Sequence, residues 1–213
     1  MSQDTTLTFT DEELEAIHNQ RFFEVKNSVT TKIFQLFGEL EKELINKVTK
    51  LPFFLDNSIE LKETGKIFKG ENYRLMPYTI LDCPRIFTTD NIFAFRSMFL
   101  WGNEFSFTLH LQGKSLERFK ENINKNISNL LQNDFFICIN DTPWEYSFDK
   151  KNYISLDELN NSTTQQLNHP NQLNHLIQHN SFLKFSRRLE LKEYNSLVTY
   201  GMDTFEMLMN IIR

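Results

Sequence analysis

The sequence predicts an α+β fold: an antiparallel β-sheet with a meander core, covered on one face by helices, and a long helix at the N-terminus. Three observations predict it. Strand-like segments are grouped in the middle of the chain with helical periodicity before and after them, which is segregation rather than strand–helix alternation. Aromatic density peaks in that middle, where Phe87, Phe93, Phe95, Phe99, Trp101, Phe105 and Phe107 fall within 21 residues of a chain holding 21 Phe and two Ala. Phe fits half-buried strands and buries a large area per residue. Before it, apolar residues recur in steps of three and four from Leu14 to Val48, the signature of one helical face.

The first helix is announced by Thr10-Asp11-Glu12-Glu13, a capping box with acidic residues in the first turn. The apolar stripe then runs through Ile17, Phe22, Val25, Val29, Ile33, Leu36, Phe37, Leu40, Leu44 and Val48. Unbroken, residues 11–50 form a helix of about 60 Å. It either protrudes from its domain or breaks near residues 27–31. Residues 51–70 read as a connector, with Pro52 and Asp56-Asn57-Ser58 stopping the helix.

Strands are expected over residues 78–87, with Pro84 placing that strand at an edge or ending it, then over 92–101 and 105–111. Phe105, Phe107, Leu109 and Leu111 alternate with Ser106, Thr108 and His110, so one face is covered and the other wetter. Ser115 is the expected N-cap of a helix over 116–131. Residues 135–139 read as a short strand, and Trp144, Tyr146 and Phe148 at period two as another beginning at Pro143. Residues 155–180 are rich in Asn and Gln and read as short helices and surface loop. A strand over 182–191 and a helix over 194–212 finish the chain. Gly201 falls on the apolar face of that helix, which implies close approach of something bulky, such as an aromatic sheet face.

The chain reads as one domain, residues 1–213, carrying a formal charge of −5. That balance argues against nucleic acid, whose phosphates are met by clustered Lys and Arg. The one basic cluster, Lys184, Arg187, Arg188 and Lys192, is interleaved with Glu190 and Glu193. No apolar run nears the ~20 residues that span a bilayer, and the polar N-terminus is no secretory signal, so a cytoplasmic protein is expected. Cys83 and Cys138 match no metal or redox spacing and read as small buried hydrophobes.

No motif names a reaction, and no cofactor or metal is expected. His175 and His179, four residues apart, lie opposite the apolar residues of their segment and read as a solvated face. Two functional readings are open. The first is a non-enzymatic binding or assembly protein, a homo-oligomer or partner-binding chain that uses the long helix through Leu36, Phe37, Leu40, Leu44 and Val48. The second is a small-anion binding domain or enzyme on the polar sheet face. There Asp82, Arg96 and His110 would bind, with Tyr73 and Arg85 on a rigid segment at a pocket mouth. That second set depends on strand register, since a slip of one residue sends it to the other face.

Overall fold

The computed structural model describes residues 7–55, 65–161 and 172–213. An antiparallel sheet lies at its centre, in the order β1-β2-β3-β4-β7-β5-β6. The strands are β1 (Lys66–Tyr73), β2 (Met76–Phe87), β3 (Asn91–Leu100), β4 (Glu104–Gly113), β5 (Phe136–Cys138), β6 (Tyr153–Ser155) and β7 (Phe182–Glu190). The helices are α1 (Asp11–His18), α2 (Gln20–Val48), α3 (Pro52–Leu55), α4 (Lys114–Asn126), α5 (Leu156–Asn161), α6 (Gln172–His179) and α7 (Leu197–Ile211). The expected α+β architecture is the observed one.

The Phe-rich face is set by register. Phe93 pairs with Leu111, Phe95 with Leu109, Ser97 with Phe107 and Phe99 with Phe105. Residues directly opposite across a ladder share a face, so these rings form one apolar surface. Helices α2, α4 and α7 cover it. Phe93 meets Phe53, Phe54 and Phe119 at ring separations of 5.6, 5.6 and 5.8 Å, and Phe95 meets Phe205 at 5.2 Å. These spacings suit edge-to-face and tilted ring packing. The close approach inferred at Gly201 is present. A Cβ there would lie 2.8 Å from the Phe107 ring and 3.1 Å from Leu40.

Several elements depart from expectation. The N-terminal helix breaks at Asn19, not near residues 27–31. Asn19 has φ −77° and ψ 71°, and its side chain accepts from the Phe22 amide at 3.0 Å, capping α2 as α1 ends. Thr30 and Thr31 lie within α2, their hydroxyls donating back to the carbonyls of Lys26 and Asn27 rather than competing for the backbone of a turn. The Thr10–Glu13 capping box at the start of α1 is formed in both directions.

The connector expected at residues 51–70 contains α3 and the start of β1. The strand expected over 78–87 is β2, and the segment before it, which holds Tyr73, is strand β1 of a hairpin turned through Arg74 and Leu75, both at positive φ. Two such residues give a tight turn whose twist matches the strands it joins. Strand β2 is therefore interior, and Pro84 is accommodated by a register shift between Asp82 and Arg85. Helix α4 starts one residue before Ser115. Its cap comes from Asn91, whose side-chain oxygen accepts from the Ser115 amide at 2.7 Å.

Residues 139–152 form no strand. They cross the second sheet face as an irregular strap, and side chains serve its backbone in place of a ladder. Tyr73 Oη accepts from the Tyr146 and Ser147 amides, and Asn152 donates to the Ser147 carbonyl. That face is covered as well. Ile80, Met98 and Leu100 cluster with Tyr146, and Cys138, Tyr153 and Phe182 with Phe148.

Two glycine substitutions test this packing. Gly201→Val is expected to destabilise the protein by about 2–3 kcal/mol in chemical denaturation, because the core rings have nowhere to move. Gly38→Ala, mid-helix with nothing within 4 Å of an added Cβ, is expected to stabilise it by about 0.5–1 kcal/mol.

Candidate functional site

Register places the expected polar residues on one face. Asp82 pairs with Arg96, Arg96 with Thr108, and Thr108 with Ser186. The next row on that face is Arg85, Ala94, His110 and Lys184. Arg96 forms a bidentate pair with Asp82, with Nε to Oδ1 and Nη2 to Oδ2 both at 2.7 Å. Its remaining Nη1 donates to the Tyr146 hydroxyl. Asp82 is buried and Arg96 nearly so, and each satisfies the other.

Tyr73 lies at the hairpin end and anchors the strap, its hydroxyl donating to Glu145 Oε2 at 2.8 Å. Arg74 reaches the same carboxylate at 3.1 Å and also pairs with Asp149. Arg85 sits beyond the register shift, its guanidinium 5.6 Å from the Phe87 ring. His110 is wedged between Trp144 and Phe182, and its Nε2 has no hydrogen-bond partner. Burial, with help from the Lys184 and Arg96 charges, pulls its pKa down to about 3, so it is neutral at ordinary pH.

Lys184 belongs in sequence to the basic cluster with Arg187, Arg188 and Lys192. It is 1 % exposed, and its Nζ donates to the carbonyls of Pro143 and Glu145 at 2.9 and 2.6 Å. It also lies 4.3 Å from the Tyr146 ring centre. Burial, reinforced by Arg96, lowers its pKa to about 7. The signal for it was available: Lys184 stands two residues from Phe182 and so shares the sheet face of a buried ring. This lysine takes the carbonyls that a strand neighbour would otherwise occupy.

The long helix divides differently. Phe37, Leu40, Leu44 and Val48, expected at an interface, are fully buried in the chain's own core against the sheet and α7. Periodicity marks an apolar face without saying what covers it. Leu36 is half-buried. Upstream, Leu14, Ile17, Phe22, Phe23 and Val25 are 39–55 % exposed, and α1 buries none of its residues. Where this arm meets the body, an open apolar groove of about 520 Å³ is lined by Val29, Leu36, Phe99, Trp101, Phe105 and Tyr194, with Lys32 among its walls.

His175 and His179 face one another on α6 with ring centres 4.4 Å apart. Among the described residues, no group of three or more His, Cys, Asp or Glu is placed to hold a metal ion. Cys83 and Cys138 are free and buried, and burial pushes the Cys83 thiol up to about 12, so it is no thiolate nucleophile. Among the described residues no helix is long and apolar enough to cross a membrane. Comparison with protein-family models, curated proteins and solved structures yields no match.

The buried pair makes a two-step prediction. Arg96→Met leaves an uncompensated carboxylate and is expected to cost about 3–5 kcal/mol, most of it recovered in Asp82→Leu/Arg96→Met; urea denaturation reads both. His110 makes a pH prediction. Its folded pKa lies below its unfolded value, so the unfolded chain binds more protons as pH falls from 6.5 toward about 3. Wild type should therefore lose stability relative to His110→Gln across that window, by up to about 1.4 kcal/mol per pH unit.

Proposed function

We propose that this chain is a non-enzymatic assembly protein that pairs with a second copy of itself through its N-terminal arm. The observation that carries this reading is an apolar stripe that outruns its own core. Phe22, Val25, Val29, Ile33, Leu36 and Leu40 follow one another at steps of three or four along α2, so they occupy one face. Ile33 and Leu40 of that face are buried and Val29 and Leu36 half-buried, while Phe22 and Val25 remain exposed. A two-fold contact covers two such stripes at once, because the same patch serves both partners.

Charge favours a second copy in antiparallel orientation. Helix α1 carries Asp11, Glu12, Glu13 and Glu15, while the first half of α2 carries Arg21, Lys26 and Lys32 against Glu24. An antiparallel pair sets the acidic end of one arm beside the basic stretch of the other, whereas a parallel pair sets like beside like. The arm is preferred to the polar sheet face because Asp82 and Arg96 already satisfy one another and the strap covers them.

Sedimentation of the purified full chain at micromolar concentration tests this. Wild type is expected to be a dimer, and Phe22→Asp/Val25→Asp a folded monomer with the circular dichroism spectrum of the wild type, because neither side chain belongs to the core. A monomeric wild type, or a dimer indifferent to the double substitution, overturns the reading.

A further inference from the structure

We infer that the apolar groove at the root of the arm receives helix α1 of the second copy, so that the two copies exchange their first helices reciprocally. This rests on the self-association proposed above and specifies which surfaces meet. The groove needs an apolar occupant: Phe99, Trp101, Phe105 and Tyr194 form one wall and Val29 and Leu36 the other, enclosing about 520 Å³. Helix α1 has the matching character. It buries nothing in its own chain, and Leu14 and Ile17, three residues apart, present two exposed aliphatic side chains on one face.

The chain's own α1 cannot fill its own groove. Only Asn19 joins α1 to α2, and an antiparallel helical hairpin needs a loop of about two to five residues. Helix α2 is continuous from Gln20, so the segment up to Val29 holds α1 about 14 Å away from the groove's near end. The occupant must therefore come from another molecule.

Charge fixes the register. Lys32 is exposed at one end of the groove and Glu39 at the other, and α1 brings Glu12, Glu13 and Glu15, of which Glu15, at its C-terminal end, belongs at the Lys32 end. Setting Glu15 opposite the turn that holds Lys32 and Ile33 puts the two-fold axis near Glu24. Phe22, Phe23 and Val25, the exposed apolar residues of the arm, then lie at the centre of the contact. One arrangement thus covers the arm, the groove and α1 together, with an apolar middle and a charged rim.

Cross-linking the full-length protein tests the exchange. Glu15→Cys/Lys32→Cys is expected to form a disulfide-linked dimer under mild oxidation, while Glu15→Cys/Lys47→Cys, with its second thiol at the far end of α2, is not. The native Cys83 and Cys138 are buried and stay silent. Glu12→Lys/Glu15→Lys should weaken dimerisation several-fold, and adding Lys32→Glu should restore part of the loss. A dimer that fails to cross-link overturns the exchange and leaves the self-association standing. A chain that sediments as a monomer overturns both.

Discussion

The size of the phenyl rings on β3 and β4 constrains everything built around them. A face of Phe93, Phe95, Phe99, Phe105 and Phe107 cannot be covered by one helix; it takes α2, α4 and α7 together. Packing at native density leaves no slack between such rings and the backbone above them. Helix α7 therefore carries glycine where it crosses Phe107, and Leu40 of α2 closes the remaining side of that contact. The third turn of this arrangement is α3, which adds Phe53 and Phe54 to the Phe93–Phe119 contact.

The opposite face solves a different problem with different means. It is too polar for a helix-covered core and too buried for open solvent. An irregular strap covers it, and an irregular backbone needs hydrogen-bond partners that no neighbouring strand supplies. Tyr73, Lys184 and Asn152 supply them. The Asp82–Arg96 pair lies beneath, closed off by Tyr146. Polar side chains here take the role that ladder bonds play elsewhere in the sheet.

How much of this could be read from residues alone depends on what each signal measures. The β3–β4 pairing was legible because strict alternation reports burial directly, and Gly201 was legible because a glycine on an apolar helix face has few other uses. Strand β1 was hidden: it is an edge strand whose Lys66, Lys69 and Glu71 mask any alternation. The strap imitated a strand because Trp144, Tyr146 and Phe148 recur at period two, yet the amides of Trp144 and Tyr146 bond to side chains. The break at Asn19 carried a signal, an Asn in N-cap position, that the longer apolar period overrode. Phe37, Leu40, Leu44 and Val48 showed that periodicity locates a face and leaves its cover open. Lys184 was lost in a cluster of neighbouring cations, though its strand position matched that of Phe182.

Asn19 has a consequence for how the molecule is put together. Because α1 is nucleated by its own capping box and α2 by Asn19, neither helix depends on the other to start. The backbone at Asn19 sets the direction of α1, and α1, which buries none of its residues, leaves the rings of the sheet to the rest of the chain. Folding of the body and aiming of the first helix are thereby separate problems, answered by separate stretches of sequence.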